Sequence, residues 1–96
     1  MADWSLEVEL DQKGVSPDGV DDLMDALKEG HPAIGEAPNG NLAVRIFTEG
    51  ETAMEALAAG VTLVREAAVK NGFCATVLGV DMITEKELDR RLAEDD

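Results

Sequence analysis

From Trp4 to Asp11 the chain alternates apolar and polar residues without a break: Trp4, Leu6, Val8 and Leu10 share one side, and Ser5, Glu7, Glu9 and Asp11 the other. Successive side chains of a strand point to opposite faces, so this run is a strand that buries one face and wets the other. Such a strand needs a sheet beside it and a second layer over its apolar face, and the rest of the chain must supply both.

The layer comes first. Gln12, Lys13 and Gly14 make a turn, after which Ser16, Pro17 and Asp18 combine an N-cap, a proline at the first helical position and an acid near the positive end of the helix dipole. Val20, Leu23, Met24 and Leu27 then fall on one helical stripe, Val15 and Val20 are spaced as a hydrophobic staple, and Gly30 sits where a C-terminal cap belongs. Pro32 to Thr48 has the pattern of a hairpin, with arms over 33–37 and 41–48 around an Asn39-Gly40 turn. Leu42, Val44 and Ile46 take the core side, which puts Ala43, Arg45 and Phe47 on the other.

Thr52 and Glu55 form a capping box that opens a long helix ending at Gly72, with Ala53, Leu57, Gly60, Val61, Val64, Ala67 and Ala68 on its apolar stripe. A glycine costs about 1 kcal/mol inside a helix, so Gly60 either marks a close approach to a neighbouring element or is merely tolerated. Residues 75–83 form a fourth strand. Thr84 and Glu87 make a second capping box, with Ile83 and Leu88 as its staple, for a short terminal helix over 84–93; the acidic residues 94–96 form a frayed tail.

The order is therefore strand, helix, strand, strand, helix, strand and a last short helix. With right-handed crossovers this predicts an α+β fold, a ferredoxin-like βαββαβ two-layer sandwich. Its four-stranded antiparallel sheet carries both main helices on one face and leaves the other bare. A chain of 96 residues has room for one core, so a single domain spanning 1–96 is expected.

Composition narrows the function classes. There are 21 acidic against 8 basic side chains, a formal net charge of −13, which repels a phosphate backbone and disfavours direct nucleic-acid binding. The same charge suits either a basic partner or a simple solvated surface. No apolar run approaches the roughly 20 residues that span a bilayer. One cysteine, Cys74, and the absence of a charged-then-apolar leader point to the cytoplasm.

Little in the sequence points to catalysis. The row Glu7, Glu9 and Asp11 could hold a divalent cation, but an alternating acidic row on a half-exposed strand is ordinarily a solubility face, and Arg45 can pair with Glu7 or Glu9 across strands. His31, the only histidine, lies in a Gly-His-Pro turn with no local nucleophile or carboxylate to make it a general base. Cys74 has no second cysteine for zinc or redox chemistry and is expected as a small core residue. No glycine-rich phosphate loop is present, so no cofactor is expected. The bare face lacks the stacking aromatics that an RNA-recognition sheet presents on its central strands. Phe47 and Val77 on that face, with Arg45, Glu7 and Glu9 around them, and the open edges of the outer strands are the features that suggest recognition. The alternative is that the terminal helix folds back through Leu88 and Leu92 and covers part of the patch.

Between Trp4 and Leu92 the chain resembles the N-terminal domain of small actinobacterial regulators that carry an AlpA-like or MerR-like helix-turn-helix behind it. The resemblance is carried by Trp4-Ser5-Leu6-Glu7-Val8, Gly30-His31-Pro32-Ala33, Thr52-Ala53-Met54-Glu55-Ala56, Arg65-Glu66-Ala67-Ala68 and Thr84-Glu85-Lys86-Glu87-Leu88-Asp89, in that order. It implies a sensing or protein-contact module with no catalytic residues. Because the chain stops at Asp96, where the DNA-binding helices would begin, DNA binding is not implied, and an actinophage source is an expectation of the same kind. The reading is a non-enzymatic interaction or regulatory module that binds a protein partner or itself through the sheet face or a sheet edge. A small-ligand sensor, with a pocket near Gly60 or at the His31 turn, is the alternative, and an acidic enzyme of unknown reaction the third.

Overall fold

The computed structural model describes residues 2–94; of the tail expected over 94–96, Glu94 instead ends the last helix and 95–96 lie outside the described residues. The elements are β1 (Ala2–Lys13), α1 (Pro17–Ala26), a 3-10 turn (Lys28–Gly30), β2 (Ala33–Glu36), β3 (Asn41–Gly50), α2 (Ala53–Lys70), β4 (Val77–Thr84) and α3 (Glu85–Glu94). The strands form one antiparallel sheet in the order β2-β3-β1-β4. This is an α+β chain with an open four-stranded sheet, compatible with the ferredoxin-like arrangement.

β1 is paired on both sides and its apolar face is buried as expected, although Ser5 on the other face is buried as well. Leu6 lies between Ile46 and Met82, Val8 between Val44 and Val80, and Leu10 between Leu42 and Val77. Leu6, Val8, Leu10, Leu42, Val44 and Ile46 are buried and form the floor of the core. Leu23 and Leu27 from the first helical segment, and Val64, Ala67 and Ala68 from α2, close it from above.

The helix starts follow their caps. The Ser16 hydroxyl accepts from the Gly19 N–H, that of Thr52 from the Glu55 N–H and that of Thr84 from the Glu87 N–H. The long helix ends as expected at Gly72, with the Phe73 N–H donating to the Ala68 carbonyl and the Gly72 N–H to that of Val69. The end of α1 differs from expectation. Helical geometry stops at Ala26, and His31 rather than Gly30 takes the left-handed conformation, with φ of 51°. Gly30 lies instead close against β3, where a Cβ would stand 3.3 Å from Cβ of Ile46 and 3.5 Å from the Phe47 carbonyl oxygen. The fourth strand begins at Val77 rather than Ala75, whose carbonyl is taken by the Arg65 guanidinium.

Gly60 marks a close approach. It is buried, and a Cβ at this position would lie 2.6 Å from Cδ2 of Leu6 and 3.3 Å from Cγ2 of Thr48. The Thr48 hydroxyl also donates to the Ala56 carbonyl one turn earlier. The helix is therefore seated against β1 and β3, and α1 packs on β2 and on α2. Replacing Gly60 with valine should lower stability by about 1–3 kcal/mol through overpacking against Leu6, read as a lower urea midpoint at unchanged slope. An unchanged midpoint would show that α2 does not rest on Leu6.

Candidate interaction surface

On the polar face of the sheet, Glu7 and Arg45 stand directly opposite each other on β1 and β3. The Arg45 guanidinium donates to the Glu7 carboxylate at 3.0 Å and to the Ser5 hydroxyl at 2.7 Å, so the expected cross-strand pair forms and recruits a third group. Glu9 is used differently. Its carboxylate accepts from the side-chain amides of Asn41 at 2.9 Å and Asn39 at 3.2 Å, tying β1 to the β2–β3 turn. The Asn41 bond, then that of Asn39, hold the Glu9 carboxyl below its ordinary range. Glu7 and Glu9 are thus occupied by contacts within the sheet.

The second face is not bare throughout. Ser5, between Phe47 and Ile83 in the sheet register, is fully buried, and α3 packs against both β1 and β4. Val77 does not share this face with Phe47. It stands opposite Leu10 and packs against the core, because the register shifts between Glu9 and Leu10 and places one extra residue in β4. That shift reverses the facing deduced from strict alternation. Cys74, expected in the core, is exposed in the approach to β4, with its N–H donating to the Gln12 side chain.

Phe47 is half-buried at the rim of an open cleft of about 810 Å³. β2 pairs only with Leu42 to Arg45, so β3 has no strand on that side beyond Arg45 and the cleft wraps round its edge. Ala59 and Leu63 line it from α2, His31 from the turn, and Asp3, Glu29, Glu49 and Glu85 make its rim acidic. Among the described residues no group of three or more His, Cys, Asp or Glu is placed to hold a metal ion. At Gly60 itself Leu6 and Thr48 occupy the space beside the backbone, and the cleft runs past the adjacent Ala59 and past His31.

The two outer strands differ sharply. β2 has four residues between Pro32 and Pro38, the short and proline-guarded form in which sheet edges are commonly protected. β4 has eight residues and no proline. Val8 is fully buried, yet its β4 partner Val80 is 38% exposed and Leu78 is 52% exposed. Val77 and Met82 of β4 still pack on the core, and the strand is an outer one whose inner side is left partly open at Val80. Leu78 and Val80 were not singled out from the sequence; the adjacent Val77-Leu78 pair, which breaks alternation, is the signal that could have found them.

No protein-family model, curated protein or solved structure matches the chain. No helix among the described residues is long and apolar enough to cross a membrane.

Two carboxyls near α3 titrate in opposite senses. Arg90, with Arg91, holds Glu87 down to about 2. The contact with Asp3 raises Glu85 above its ordinary value. A lowered folded-state value means that the Glu87 contribution is complete above about 4.5 and is lost as pH falls towards 2. The α3 carbon chemical shifts should therefore move towards coil values in that window, and the movement should be absent in Glu87→Gln. Glu85 binds its proton more readily in the folded chain, so acidification towards 4.5 relieves its repulsion with Asp3. In Asp3→Asn the Glu85 carboxyl, followed by NMR, should titrate closer to its ordinary value; no change would show that the two groups do not meet.

Proposed function

We propose that the chain is a non-enzymatic protein-interaction module of ferredoxin-like fold, with two layers and both main helices on one face of the sheet, that takes a partner chain through the open edge at β4. The observation that carries this reading is the pairing of an eight-residue outer strand with exposed Val80 on its inner side and exposed Leu78 at its bulge. An edge strand offers a row of unpaired backbone donors and acceptors, and chains that remain monomeric ordinarily blunt such edges with proline, charge or brevity. β2 is guarded by brevity and two flanking prolines, whereas β4 is twice as long and proline-free, with one charge, Asp81, and a bulge near its start.

The net charge of −13 supports a protein partner over a nucleic acid, and the single cysteine is in keeping with a cytoplasmic setting. The resemblance to the N-terminal domains of actinobacterial helix-turn-helix regulators, or to a phage-borne relative of them, would make the role regulatory. The cleft beside Phe47 and His31 favours a second reading, a small-ligand sensor, because it joins an aromatic side chain to an acidic rim that suits a cationic ligand.

Capture from an actinobacterial lysate with three tagged forms separates these surfaces. A protein held by the native chain and by Phe47→Glu, but lost from Val80→Lys, is the expected result. Loss with Phe47→Glu and retention with Val80→Lys would move the contact to the Phe47 face. Circular dichroism of both variants checks that each retains the native fold.

A further inference from the structure

Beside the open edge at β4 the strand residues themselves are acidic, while α3, which packs on β4, carries Lys86, Arg90 and Arg91 along with Glu85, Glu87 and Asp89. Residues 3–11 of β1 and 77–84 of β4 carry five carboxylates, Asp3, Glu7, Glu9, Asp11 and Asp81, and no lysine or arginine. Arg45 from β3 neutralises Glu7, while Glu9 is held by the uncharged amides of Asn39 and Asn41. Asp81, which stands opposite Glu7 in the sheet, is exposed. The inner side of the same edge is apolar, with Val80 opposite Val8 and Met82 opposite Leu6. A strand added to β4 beyond the bulge would therefore meet Val80 and Met82 on the inner face, and Asp81 between Gly79 and Ile83 on the other.

Resting on the edge-binding reading above, we infer that β4 accepts an extended segment of a basic partner protein, with apolar side chains at alternate positions and lysine or arginine at the intervening ones. Its apolar residues would cover Val80 on the inner side, and a basic residue would pair with Asp81 across the new strand pair. A second copy of the chain fits this edge less well. Antiparallel pairing of two β4 strands about Val80 would set Asp81 against Gly79 of the other copy, supply no cation, and bring together two chains each carrying −13. A basic segment is drawn in by the same field, and its binding weakens as salt rises.

The test uses the full chain, isotopically labelled, and two blocked seven-residue peptides, one alternating Lys and Val and the other Glu and Val. The lysine peptide should shift the amide resonances of 77–84, more weakly at high salt, and the glutamate peptide should not. In Val80→Lys the affinity for the lysine peptide should fall about tenfold or more, because a charge on the inner face of an edge opposes strand addition. Binding of both peptides alike, or shifts confined to the cleft residues around Phe47, would overturn the assignment. Sedimentation of the unliganded chain distinguishes the two levels of failure. A dimer dissociated by Val80→Lys would keep the edge as the binding surface and replace the basic segment by a second copy; a monomer whose β4 resonances respond to neither peptide would remove the edge reading as well.

Discussion

The seating of α2 on β1 and β3 at Gly60 sets the position of everything else in the molecule. The missing side chain lets the helix backbone descend until Leu6 and Thr48 fill the space a Cβ would occupy, and the Thr48 hydroxyl is within reach of the Ala56 carbonyl. Neighbouring strands lie about 4.8 Å apart, so a helix seated on β1 and β3 covers less of the strand beyond β1, where Val77 and Met82 still reach the core. Burial of Val8 beside exposure of Val80 follows from that placement. Close packing in the centre of the sheet and an open edge at its margin are two results of one contact.

The polar side of the sheet shows how an acidic surface is kept compatible with the fold. Glu7 is matched by Arg45, which also satisfies the buried Ser5 hydroxyl. Glu9 draws the Asn39–Asn41 turn onto β1 and so fixes where the β2–β3 hairpin ends. These carboxylates act within the sheet, whereas Asp81 at the margin remains free to meet a partner.

Much of this architecture was legible in the sequence because it depends on local chemistry. Ser16, Thr52 and Thr84 marked the helix starts through hydroxyls that accept from amides three residues on. The unbroken alternation of Trp4 to Asp11 gave the facing of β1, and the Glu7–Arg45 pair followed from the facing of β3. What escaped depended on register or on lateral position. One extra residue in β4 turned Val77 to the core, a change invisible to a period-two count. Gly30 has a helix-ending residue type, but its place is set by Ile46 sixteen positions on, and His31 takes the left-handed turn. Gly60 announced a close contact without saying which strands it would meet, so the uncovered margin at Leu78 and Val80 could not be deduced. The partners of Glu9, some thirty residues distant, were hidden for the same reason.

The central claim is that β4 is paired on one side only, and amide hydrogen exchange along 77–84 in the free chain tests it most directly. Amides that donate to β1 should be protected and those facing outward should exchange at rates close to those of an unstructured peptide, giving alternation along the strand. Uniform protection of β4 in the free chain would contradict the account, since it would mean that the edge is already covered.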